Sequence, residues 1–590
     1  MKKIFLTIVA GMLLASCGNN KPDSKTTTMP NQDSLFDLYK QTFVEDLWKI
    51  YPSWASGQGY HKYDSVLVVP NNDSRVKELA FCEKNLALLK TFDIKNLSDN
   101  NKTDYYMIEN QLKSAEWSIT GLKANEWDPS QFNICGQFAE MLGNNYDSLD
   151  VRLHNFYLKM KNVPAYYKAA ENQIKNPTLE HTQLAIDQNL GGASVFETDL
   201  NDALKKSHLG EKEKEQITTR AKESVQAIKE YVEWLKNLKN TTPRSFRLGK
   251  DLYAKKFEFD IQSGYSADEI YHKALQHKEE LHKQMFDITQ QLWGKYLKDK
   301  KIPENKLEAI RMMIDKLSLH HVGADSFQTA IEHQIPLLVE FIKQKDLIYI
   351  DPSKPLVVRK EPAYMAGVAG ASISAPGPYD KNGNTYYNVG SLSGWEKEKA
   401  ESYLREYNQY ILQILNIHEA IPGHYTQLVY SNQSPSLIKS IFGNGAMVEG
   451  WAVYTERMML ENGYGNNEPE MWLMYYKWNL RTTCNTLLDY GVHVKNLSKE
   501  NALNLLMNEA FQQKAEAEGK WKRVSVTQVQ LCSYFTGYTE IYEFREELKK
   551  KMGDKFNLKQ FHEKFLSYGS APVKYIKSLM SAELEKEKSK

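Results

Sequence analysis

The chain lacks a dominant charge. Its 75 Lys and Arg stand against 74 Asp and Glu, a formal net charge of +1. That balance argues against nucleic acid as a partner, and no block of like charge is long enough for a polybasic tail. Cysteine is scarce, five in 590 residues. A chain of this length does not depend on disulfides, and no pair shows the C-x-x-C spacing of a metal knuckle. No short internal repeat is present, which argues against a solenoid. Beyond the N-terminus no apolar run is long enough to cross a membrane as a helix.

What is present begins with an address. Lys2-Lys3 is a basic start, and Ile4 to Leu14 is a short apolar stretch broken by Thr7 and Gly11. This reads as a secretory signal over residues 1–16. Leu14-Ala15-Ser16-Cys17 resembles a bacterial lipobox, with cleavage before Cys17 and lipid on its sulfur. Acyl chains there anchor a protein stably to a membrane. Residues 17–33 are polar and read as a flexible tether. The expectation is a lipoprotein of the bacterial cell envelope whose membrane contact is its lipid. Cys82, Cys135, Cys484 and Cys532 are expected as buried free thiols.

The rest is expected to be mainly α. Residues 34–347 form a helical N-terminal lobe, and residues 348–590 a catalytic region with a small sheet. Ile217, Ala221, Val225, Ile228, Val232 and Leu235 step by three and four, the helical period. Ser266-Ala267-Asp268-Glu269 is a capping box that opens another helix. Between Asp351 and Leu392 the texture changes: Pro352, Pro355, Pro362, Pro376 and Pro378 alternate with Gly367, Gly370, Gly377, Gly383 and Gly390. Extended candidates lie at residues 356–358, 371–374 and 385–389, with Asp380-Lys381-Asn382-Gly383 as a hairpin turn. This small sheet either receives substrate backbone along an edge or merely connects. Helix resumes after Trp395, and residues 403–417 read as one buried helix.

At the end of that helix stands His418-Glu419-Ala420-Ile421-Pro422-Gly423-His424, followed by Glu449-Gly450-Trp451. Two imidazoles and a carboxylate form the usual open zinc site. A further carboxylate beside the first His can take a proton from water. The commoner H-E-x-x-H places both His on one helix face. Here the separation is six residues, which on an unbroken helix would turn His424 away from His418. Pro422 removes a helical N–H and clashes with the preceding turn, so a bulge at Pro422-Gly423 is expected to bring His424 back. The bland alternative is a Pro-Gly stop signal with two helix-end histidines. His418, His424 and Glu449 are the expected Zn2+ ligands, and Glu419 the base. Glu456, two turns beyond Glu449, either orients a ligand from behind or is a solvated charge.

The wording H-E-x-x-P-G-H-x-x-Gln427, then Glu449-Gly450-Trp451-Ala452-x-Tyr454-x-Glu456, resembles the bacterial domain-of-unknown-function family eight-eight-five. Asp489-x-Gly491-x-His493, Ser533-Tyr534-x-x-Gly537 and Phe561-His562 with Ser567 to Pro572 extend the likeness. The family is regarded as related to gluzincin-type metallopeptidases. The resemblance therefore implies a large helical zincin-like fold, two lobes around a cleft, and zinc-dependent hydrolysis of peptide bonds. Gluzincin relatives often set a His and a Tyr downstream to hold the oxyanion, which suggests His493, Tyr534 and Tyr538, the alternative for each being a buried, satisfied His or a core Tyr; Asp489, four residues before His493, would share its helix face and hold its imidazole. Arg481 either holds a substrate carboxylate or forms a salt bridge. Short unfolded peptides are the expected substrates, pairing with the strand at residues 386–389. A zinc hydrolase of non-peptide amides or esters, and a metal-binding lipoprotein without catalysis, are the alternatives.

Overall fold

The computed structural model describes residues 31–361, 371–380 and 383–588. The expected signal, the Cys17 lipidation site, most of the tether, Pro362, Gly367, Gly370 and the Lys381-Asn382 part of the turn lie outside them. The structure is 72% helical with a single three-stranded sheet among the described residues, so the class is mainly α.

Local sequence explains how the helices begin. Asn31 caps α1 (Gln32–Ile50) by accepting the Ser34 N–H. The stepped apolar residues lie on α2 (Glu211–Lys236), where Ile217, Ala221, Ile228 and Val232 are buried. Ser266 and Glu269 close the expected capping box on α3 (Ala267–Tyr296). The site is framed by α4 (Gln409–Glu419), α5 (His424–Asn432), α6 (Gly445–Glu461), α7 (Pro469–His493), α8 (Lys514–Val526), α9 (Cys532–Met552) and α10 (Leu558–Ser567). The single helix expected over residues 403–417 is in fact two. One ends at Glu406, and α4 starts afresh because the Asn408 side chain accepts the N–H groups of Tyr410 and Ile411.

The apolar interior does not divide at residues 347/348. One large core runs from Phe36 to Met580 and draws on both sides of that point, while a smaller core gathers Leu67 and residues from Phe132 to Leu235. The reason is that α3 lies along α7, burying Ile270, Ala274, Leu281 and Met285 in the large core.

The sheet comprises β1 (Leu356–Lys360), β2 (Ala371–Ser374) and β3 (Thr385–Val389), in the order β1-β3-β2. β3 runs parallel to β1 and antiparallel to β2, so both of its edges are occupied. Residues 386–389 therefore cannot accept a further strand, contrary to the expectation. β2 lies against α4. Below it, Tyr387 of β3 donates to Asn416 Oδ1 of α4 at 2.8 Å, and Asn416 donates to Gln334 at 2.5 Å.

Two helices meet without side chains between them. A Cβ on Gly537 of α9 would fall 1.7 Å from the Ala446 carbonyl oxygen of α6, and one on Gly450 would fall 2.3 Å from the Gly537 carbonyl carbon. Only glycine permits this crossing.

α10 closes over α6 through His562, which is fully buried. Its Nδ1 lies 2.8 Å from the Leu347 carbonyl and its Nε2 2.7 Å from the Tyr454 hydroxyl. Burial pushes its pKa down to about 4. An unfolded chain takes up that proton near pH ~6.5. Above this pH the imidazole is neutral in both states and the full stability is present. Between about 6.5 and 4 only the unfolded chain gains the proton, so stability falls on acidification, by up to about 3 kcal/mol. Thermal unfolding measured from pH 7 down to 4.5 should show a steeper fall for wild type than for His562→Gln. Parallel curves would remove His562 from this role.

Candidate metal centre

α4 ends at Glu419 and α5 begins at His424. In place of the expected bulge within one helix, residues 420–423 form a tight reversal, with a cis Ile421–Pro422 peptide. The Gly423 N–H donates to the Ile417 carbonyl at 3.0 Å. A Cβ on Gly423 would fall 1.8 Å from the His418 carbonyl oxygen, so glycine is required there by close approach. The Trp451 indole of α6 donates to the Pro422 carbonyl at 2.9 Å and ties the reversal to the next helix. The result is a 4.8 Å separation between the rings of His418 and His424.

Glu449 comes from the first turns of α6, whose start Asn444 fixes by accepting the Met447 N–H. Its Oε2 lies 3.6 Å from His418 Nε2 and 3.3 Å from His424 Nε2. One donor atom from each of the three residues lies within 4.8 Å of the others. Two ligands about 2.0–2.1 Å from a tetrahedral zinc stand roughly 3.3 Å apart, so the donor set fits that ion. Glu449 Oε2 is buried and makes no hydrogen bond of good geometry among the described residues; its two imidazole neighbours stand at ion-pair distance. The three side chains are recessed, at 8%, 13% and 20% exposure for His418, His424 and Glu449.

Electrostatics binds the group together. Burial would raise the Glu449 carboxyl, yet the two imidazoles beside it hold it well below the usual carboxylate range. Burial likewise opposes charge on His418, but Glu449 and Glu456 outweigh it and push the imidazole up to about 10. Glu456 is buried rather than solvated: its Oε1 meets His418 Nδ1 at 2.7 Å and accepts the Trp478 indole N–H at 3.0 Å. A carboxylate behind an imidazole in this way fixes the ring and directs its other nitrogen at a metal. Glu419 follows His418 directly. Burial raises its carboxyl pKa, against the pull of His424 and His418.

Of the downstream residues, the structure brings Tyr534 to the centre. Its ring stacks on His418 with centroids 6.5 Å apart. Burial and the Glu449 charge push its phenol up to about 12, against the opposing effect of Arg523. His493 is not brought there. Its Nε2 faces the carbonyls of Val524 and Thr527 at 2.9 and 3.0 Å, and its ring packs on Phe246 and Tyr253. A nitrogen donating to two carbonyls is not free to face an oxyanion. Asp489 does not hold this ring but accepts from Tyr253 and from the N–H groups of Val529 and Leu531. Tyr538 accepts from Arg457 at 3.0 Å. Arg481 forms the salt bridge, with Glu516. The sequence reading missed Trp478, which lies 22 residues from Glu456 with no motif between them, and Arg523, which touches Tyr534.

A family model described as "Bacterial protein of unknown function (DUF885)" matches residues 52–580. Among solved structures, the chain is similar to a candidate lipoprotein of unknown function from Shewanella oneidensis, at 55% identity and a TM-score of 0.84 over 92% of this chain and 99% of that one. It is also similar in fold to a candidate lipoprotein from Colwellia psychrerythraea, at 17% identity and a TM-score of 0.75 over 94% of this chain and 99% of that one. No curated protein matches.

Proposed function

The chain belongs to that bacterial family, and we propose that this member is a zinc-dependent metallopeptidase of the cell envelope. The observation that carries the reading is the convergence of His418 Nε2, His424 Nε2 and Glu449 Oε2, with Glu456 behind the first ligand and Glu419 beside it. His418, His424 and Glu449 would hold the ion. Zinc in such a site polarises a carbonyl and acidifies water. Glu419 takes the proton from that water on a carboxylate oxygen and passes it to the leaving amine. Tyr534 donates its hydroxyl hydrogen to the developing oxyanion. A structural zinc site needs neither group and closes with four protein ligands, which disfavours the non-catalytic alternative.

An extended substrate would add to the outer edge of β2, which no described strand covers and which lies against α4. The recessed side chains favour short unfolded peptides, since a folded chain would first incur an unfolding cost of about 5–15 kcal/mol. The envelope location is supported by the Cys17 motif and by the lipoprotein description of the Shewanella structure.

The test is a peptide-library digest read by mass spectrometry, with and without chelator, alongside metal analysis. About one zinc per chain is expected, with cleavage lost on chelation and restored by zinc. Protein free of metal, or cleavage indifferent both to chelator and to His424→Ala, would refute the reading.

A further inference from the structure

On α8, Glu516, Lys520 and Arg523 follow at spacings of four and three, so they share one face. Two of them are engaged. Glu516 pairs with Arg481. Lys520 is buried and donates to Asn485 Oδ1 at 2.7 Å. Arg523 differs. It is exposed, and its Nη2 is shared between Gln530 Oε1 at 2.7 Å and the Tyr534 hydroxyl at 3.3 Å.

The other arginines around the centre each have a carboxylate: Arg481 has Glu516, Arg457 has Glu461, and Arg545 has Glu461 and Glu546. Arg523 has none among the described residues, and its hydrogen bonds to described side chains run through Nη2. A guanidinium presents a planar fork that suits a carboxylate in bidentate fashion. Here one arm is fixed by neutral groups on a side chain that is exposed. Because Tyr534 both stacks on His418 and touches Arg523, the guanidinium lies within roughly four extended residues of the triad.

We propose that Arg523 is a substrate-carboxylate subsite of this centre, so that the preferred substrates carry a carboxylate one to three residues beyond the cleaved bond. The proposal rests on the peptidase reading. The carboxylate is either a free C-terminus, which makes the activity that of a carboxypeptidase releasing short pieces, or an acidic side chain.

One cleavable sequence in three forms separates these: a C-terminal acid, a C-terminal amide, and an amide with glutamate as the last residue. For wild type, amidation should lower kcat/KM about 10- to 100-fold, mainly through KM, as expected for loss of a charge-assisted pair. Recovery by the glutamate amide assigns the carboxylate to a side chain, and no recovery assigns it to the terminus. In Arg523→Met the acid-to-amide ratio should fall to about one, with Arg523→Lys between. A residue that only steadied Tyr534 would slow all three forms and leave the ratio intact. Equal cleavage of the three forms by wild type, or an unchanged ratio in Arg523→Met, overturns the proposal and leaves the peptidase reading standing. If the library digest yields no cleavable sequence, the peptidase reading fails. Calorimetric binding of a peptide in the same three forms then decides the subsite: a preference for acid that Arg523→Met abolishes keeps it, and equal affinities sink it.

Discussion

Glu419→Gln should bind metal as the wild type does and lose at least about a hundredfold in kcat. The substitution keeps the shape of the side chain at the last position of α4 and removes only its capacity to take a proton. His418, His424 and Glu449 stay in place, because the contacts that position them run through Gly423, Glu456 and Trp451. Burial already favours a proton on this carboxyl and the neighbouring imidazoles disfavour it, which is compatible with the proposed role of a base. Metal content by plasma mass spectrometry and turnover on a fluorogenic peptide make the comparison. A kcat within about threefold of wild type would place the base elsewhere.

Gly423→Ala should lower metal affinity at least about 100-fold and destabilise the fold by roughly 1–3 kcal/mol. The added methyl would lie 1.8 Å from the His418 carbonyl oxygen and 2.4 Å from that of Ile417. Both obstacles are backbone of the helix that carries the first imidazole, so neither can swing aside. The reversal must open, and His424 moves with it. Metal sites tolerate displacements of only about 0.5 Å. Gly294→Ala is the control: its methyl meets nothing within 4 Å inside α3, and it should be neutral or stabilising by up to about 1 kcal/mol. Competition with a chromophoric chelator and urea unfolding give the two readouts. Unchanged affinity in Gly423→Ala would show that the reversal does not set the ligand spacing.

Local chemistry was legible in the sequence, and long-range order was not. The His-Glu-Pro-Gly-His wording held enough to expect a return of His424, although the return is a break between two helices rather than a bulge in one. The break before α4 was also written locally, in the capping Asn408, but the apolar period on either side concealed it. Two other misreadings have non-local causes. Asp489 and His493 have the spacing of a helical pair, yet Val529, Leu531 and Tyr253 claim the carboxylate from distant parts of the chain. β3 is the last strand in sequence but the middle one in space, and strand order follows from packing, which no local period encodes. Glu456 could be placed on the face of Glu449, but its indole partner Trp478 comes from a different helix.

The crossing of α6 and α9 bears on how this site is held together. Glu449 precedes Gly450 by one residue, and Tyr534 precedes Gly537 by three, so both hang close to the same backbone contact. At that contact the two backbones approach too closely for any side chain to intervene, so the positions of that carboxylate and that phenol are referred to one shared point of the fold. Arg523 is borne by α8, outside the contact, and β2 belongs to the sheet. If the centre cleaves peptides as proposed, selections for new cleavage specificity should return substitutions on α8 and β2 before they return any on the α6–α9 pair.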